Sequence, residues 1–188
     1  MSSMISLHSL KKNSSGRIAL LITLGAETVF FITLLTAYAA LRDEVTWNVS
    51  HTLTRLKIPI LNTIVLLVSI ATAWYSTRAI RRDKQAPLKN GLLITLLLGI
   101  IFVAGQIYDF RNAGLQINDP LFGGVFFTLM GFHAVHVLAG VVFLALNYAR
   151  AYLGDFSSER YETIELGNWF WYYVAGVWLV LFIVLYLI

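Results

Sequence analysis

The chain contains no cysteine, and only 13% of its 188 residues are charged. The first absence excludes disulfides, thiolate-held iron–sulfur clusters and a dithiolate copper centre. The second sets the chain apart from soluble domains, where about a quarter of residues carry charge. Histidine is scarce as well, with four residues, and His8 and His51 lie outside the apolar runs. The remaining two, His133 and His136, are too few to ligate two haems and copper. A redox complex containing this chain must hold its metals in other subunits.

What the chain has in abundance is apolar sequence, at 58% hydrophobic residues and a mean hydropathy of +0.73. The apolar residues fall in five runs: 18–41, 58–77, 91–108, 123–147 and 167–188. Each can supply the ~20 residues with which a helix crosses the hydrocarbon core. Lipid offers no partners to exposed backbone groups, so these runs must be helices rather than open strands. The expected fold is an all-α integral membrane protein with five transmembrane helices. Residues 1–16 are expected to form a polar tail, and residues 17–188 the membrane domain. A cleavable signal peptide is disfavoured, because the run from Ile18 to Thr36 is long for such a segment and contains Glu27.

The net charge of +4 does not mark a nucleic-acid binder, because of where the cations lie. Ten of the fourteen Lys and Arg residues fall in the tail (Lys11, Lys12, Arg17), the second loop (Arg78, Arg81, Arg82, Lys84, Lys89) and the fourth loop (Arg150, Arg160). The other four are Arg42, Arg55, Lys57 and Arg111. The positive-inside rule puts the N-terminus in the cytoplasm and the C-terminus outside.

Two features inside the runs are expensive. An ionisable side chain at membrane depth costs about 2.5–3.5 kcal/mol, so it is a functional candidate by default. Glu27 shares a helical face with Phe31, Leu34 or Leu35, and Tyr38. It therefore either fixes a helix contact or serves a proton-linked function. In the fourth run, His133, His136, Gly140, Phe143 and Asn147 are expected on one face. The His-x-x-His pair suggests either a metal site or imidazoles hydrogen-bonded to another helix, with Glu27 as the candidate partner. A closed metal shell needs about four ligands, which favours the hydrogen-bonded reading. Asn62 is a polar residue near the start of the second helix, whose first turn is expected to hold Pro59. Trp74 and Tyr75 read as interfacial anchors, as do Trp169 to Tyr173. In the third helix Gly91, Thr95 and Gly99 form a small-residue stripe suited to close packing. Gln106, Tyr108 and Asp109 read as an outer cap or anchor.

Several segments together resemble subunit III of haem–copper oxygen reductases. Gly25-Ala26-Glu27-Thr28-Val29-Phe30-Phe31 is similar to the helix bearing that family's buried glutamate. Ile58-Pro59-Ile60-Leu61-Asn62-Thr63-Ile64-Val65-Leu66-Leu67, the stretch from Gly91 to Gly99 with Gln106, and Gly131-Phe132-His133-Ala134-Val135-His136-Val137 follow in family order. The five runs match the family's five-helix form. The resemblance implies a subunit without redox centres, with haem and copper expected in partner subunits. It also implies direct packing on subunit I, association with subunit II, and helices in two groups around a cleft holding structural phospholipids. Support for proton uptake and turnover stability is implied likewise; the expected membrane is the inner (plasma) membrane, and the expected electron donor, which other subunits decide, is cytochrome c. The last helix departs from the family pattern: Trp171-Tyr172-Tyr173-Val174-Ala175 lacks the His and Asp often found there. Such drift also suits an accessory subunit of a quinol oxidase or nitric oxide reductase. A small proton-coupled transporter using Glu27 is the alternative from a different class.

Overall fold

The computed structural model describes the backbone of residues 2–42, 53–112 and 122–187, and side chains within 15–41, 56–111 and 124–187. Arg42, His51 and Arg55, which entered the charge and histidine readings, have side chains outside this set, as do His8, Lys11 and Lys12. Five helices account for nearly all of it: α1 (Ser2–Arg42), α2 (Leu53–Ile80), α3 (Gln85–Asn112), α4 (Phe122–Tyr152) and α5 (Glu162–Phe182). A single π-helical turn, Ile183–Leu187, continues α5. All five are long and apolar enough to span a membrane.

Helices α1 to α4, and α5 together with its π-helical turn, are longer than the apolar runs that announce them. Hydropathy marks only the lipid-embedded part, whereas backbone hydrogen bonding continues into the flanking polar residues. Helix α1 thus runs through the segment expected as a polar tail. Helix α2 starts at Leu53, which places Pro59 in its second turn rather than its first. There the proline removes one hydrogen bond to the carbonyl four residues back. The Pro59 carbonyl itself accepts from Thr63 Oγ1 at 2.8 Å.

Helices α2 to α5 pack as a ring, each against the next and α5 back against α2, while α1 lies on the outside against α4 and α5. Only 6% of the apolar window of α1 is buried in the protein, against 28–33% for the others. The boundary between helix groups therefore falls between α1 and the ring.

Small residues set how closely the ring closes. Gly91 of α3 faces Ser76 of α2 so closely that an added Cβ would lie 2.9 Å from the serine Cβ and 3.2 Å from its Cα. One turn on, Thr95 and Thr72 join their hydroxyls across the same contact at 2.8 Å. Replacing Gly91 by Val is expected to push the two backbones apart, at about 1–3 kcal/mol. A lowered thermal midpoint of the purified protein, absent in a Gly124→Ala control where nothing lies within 4 Å, would register it.

Further along, Trp171 of α5 fills the ring's centre. It is fully buried, an added Cβ on Gly99 or Gly140 would lie 3.0 or 2.8 Å from its ring, and its Nε1 donates to Ser69 Oγ at 2.9 Å. The connection from α2 to α3 is a tight turn in which Asp83 takes a left-handed conformation, φ 53°. Its carboxylate accepts from the Ser158 amide at 3.2 Å, which joins this turn to the α4–α5 loop.

Candidate functional site: a carboxyl–imidazole pair between α1 and α4

Glu27 stands near the middle of the α1 span and His136 near the middle of the α4 span. Their side chains meet, Oε2 to Nε2, at 3.1 Å. The other imidazole nitrogen, Nδ1, lies 2.7 Å from the Phe132 carbonyl one turn back on α4. A carbonyl can only accept, so Nδ1 carries a proton and donates it there. Nε2 can then meet the carboxyl in either of two ways. With the proton on oxygen, a neutral acid donates to a neutral imidazole; with it on nitrogen, an imidazolium donates to a carboxylate. The pair sums to zero charge in both forms. That cancellation is what makes two ionisable groups tolerable at this depth.

The surroundings are aromatic. The Phe31 ring meets His136 edge-on at 5.3 Å, and Phe170 of α5 stacks over it at 6.5 Å. The Tyr173 hydroxyl lies 3.4 Å from Thr28 Oγ1, next to Glu27 along α1. His136 and Glu27 keep 15% and 33% of their side-chain surface, so the pair is partly open. Beside it, Thr28, Phe31, Ile32 and Leu35 of α1 and Tyr173, Gly176, Val177 and Val180 of α5 line an apolar groove of about 200 Å³.

The other residues singled out from the sequence lie elsewhere. His133 is fully buried inside the ring, stacked on Trp178 at 5.6 Å. The two histidines therefore do not share one target. His133, Val137, Gly140, Leu144 and Asn147 follow the inward stripe of α4, while His136 and Phe143 flank it toward α1 and Phe170. Asn62 is buried against Gly105. Asn147 is buried at the opposite end and donates to the Thr163 carbonyl at 3.2 Å. Trp74 is 55% exposed with the Arg78 guanidinium 5.2 Å over its ring. Gln106, expected at the helix end, is 4% exposed because α3 continues to Asn112. Among the described residues, no three His, Asp or Glu side chains gather as a metal shell would require.

Sequence reasoning missed a second polar centre. Glu165, 3% exposed, accepts from Arg17 of α1 at 2.8 Å and from Arg81, just past α2, at 2.5 Å. The hydrogen bond with Glu165 raises the pKa of Arg81 above its ordinary value. Asn168, one turn along α5, donates to the Ala73 carbonyl at 2.9 Å. A signal existed: Glu165 and Asn168 precede Trp171, Ala175 and Trp178 at helical spacing on the same inward stripe.

The pair between α1 and α4 can be tested directly. Glu27→Gln should retain the contact, because an amide can donate to Nε2 as the protonated acid does. Glu27→Leu leaves the imidazole nitrogen facing a methyl and should cost about 1–3 kcal/mol. Thermal unfolding of both variants in one detergent separates them.

A model of the family described as cytochrome c oxidase subunit III matches residues 2–188. The chain is 37% identical over 130 residues to cytochrome c oxidase subunit 3 of Spodoptera frugiperda, covering 69% of this chain and 88% of that one. It is 38% identical over 130 residues to the Rhipicephalus sanguineus protein of the same name, covering 69% and 51%. With the probable cytochrome c oxidase subunit 3 of Rickettsia felis it shares 36% over 132 residues, covering 69% and 48%. The match thus spans about half the length of the latter two relatives.

Proposed function

Because the chain belongs to the cytochrome c oxidase subunit III family, we propose that it is a membrane subunit of a cytochrome c oxidase that carries no redox centre itself. It packs on subunit I, in contact with a complex whose other subunits hold haem and copper and receive electrons from cytochrome c. The observation that carries this reading is the family match along residues 2–188. The membrane is the plasma (inner) membrane, with the N-terminus in the cytoplasm; the concentration of cations in the tail, second loop and fourth loop supports that orientation.

Within the complex, the subunit holds phospholipid and supports proton uptake and stability during turnover. Two features support these roles. The groove between α1 and α5 is apolar and suits an acyl chain. The Glu27–His136 pair can hold one proton in either of two positions without changing its net charge.

Purification of the complex from its native membrane, with haem spectra and identification of the co-purifying chains, tests the reading. Haem–copper spectra and an oxidase subunit I in stoichiometric amount are expected. Isolation with the chains of a nitric oxide reductase, or as a free protein without haem partners, would overturn it.

A further inference from the structure

The ring has a further polar layer, in the half far from the α2–α3 turn. His133 projects into it from α4, and neither of its ring nitrogens has a hydrogen-bond partner among the described residues. Asn62 Nδ2 of α2 and Gln106 Nε2 of α3 are likewise buried without one. All three residues are at least 96% buried. Trp178 links the layer. It stacks on His133 at 5.6 Å, meets Phe102 edge-on at 5.0 Å, and donates to Thr63 Oγ1 at 3.0 Å. Thr63 follows Asn62 in the chain. Gln106 lies one turn beyond Phe102, and its neighbour Gly105 touches the Asn62 amide.

We propose that this layer is an internal water site, with at least one water molecule bridging His133 to the amides of Asn62 and Gln106. The chemistry of the set selects the ligand. A neutral imidazole offers one N–H and one lone pair, and each amide nitrogen offers only hydrogens. Three donors and one acceptor suit a molecule that accepts and donates at once. A cation would meet the unpartnered N–H groups positive end first, and an apolar ligand would leave every one of them unpaired. Buried waters in proteins commonly make two to four such bonds to groups that otherwise lack partners. Trp178 Nε1 is already committed to Thr63, so it bounds the site and does not compete for it.

The test uses the intact complex from native membranes, imaged at a resolution that resolves water. Ordered density within hydrogen-bond distance of a His133 nitrogen and of the Asn62 or Gln106 amide is expected. Side chains bonded directly to one another, or a dry layer, would overturn the proposal. A second measurement is a thermal-midpoint cycle on His133→Phe, Gln106→Leu and the double variant. Because both substitutions break the same bridge, the double variant should fall no lower than the worse single one. Additive losses would mean that no shared water couples them. If a variant fails to assemble, the density in the unaltered complex decides.

Discussion

Replacing Arg17 and Arg81 together by Gln is expected to loosen α1 and the α2–α3 turn from α5, whereas either replacement alone should be nearly silent. The asymmetry follows from exposure. Both arginines keep about half of their side-chain surface, at 46% and 58%, while the Glu165 side chain keeps 4%. Losing one cation leaves the carboxylate paired with the other, and a half-exposed pair contributes about 1 kcal/mol or less. Losing both leaves a buried charge with no counter-ion, which costs about 3–5 kcal/mol. The sharpest control adds Glu165→Gln to the double variant. With no charge left to bury, most of the lost stability should return. Thermal unfolding of the four proteins in one detergent gives the comparison, and a double variant as stable as the singles would show that Glu165 is not held by these two residues.

Trp171→Ala should be the most damaging single substitution in the ring. The side chain is fully buried, and α3 and α4 each present a glycine to it. In a membrane the transfer part of the loss is small, because lipid is as apolar as the neighbouring side chains. The cavity and the lost dispersion contacts remain, and Ser69 loses a donor as well. Truncating a buried tryptophan typically costs about 3–5 kcal/mol. Trp171→Phe retains much of the volume and forfeits the hydrogen bond, so it should fall between the two. The thermal midpoint and the amount of protein recovered from the membrane should follow that order. Equal behaviour of the Ala and Phe variants would mean that the ring refills the gap.

The five spanning helices and the family were legible in the sequence because both depend on local information: run length, and short ordered motifs. The meeting of Glu27 with an imidazole was legible in outline, since two costly residue types at one depth have reason to pair. Which histidine it meets was not. That depends on the rotation of α4 about its axis, fixed by Gly140 against Trp171 and by Leu144 in the core. Glu165 was missed for a different reason. Reading α5 from Gly167 onward, where its apolar run begins, cuts off the polar first turn that carries the carboxylate. Gln106 was placed at a helix end by the same error at the far side of α3. Hydropathy locates what lies in lipid, and polar residues buried by other helices escape it.

The peripheral position of α1 has a consequence for the order of biosynthesis. Its polar partners come late in the chain: His136 lies 109 residues after Glu27, and Glu165 lies 148 residues after Arg17. At usual elongation rates of about 5–20 residues per second, the first interval alone lasts on the order of 5–20 s. Throughout that time the nascent first helix sits in the bilayer with its carboxyl unmatched. The docking of α1 is thus a late event, set by when α4 and α5 reach the membrane and not by α1 itself.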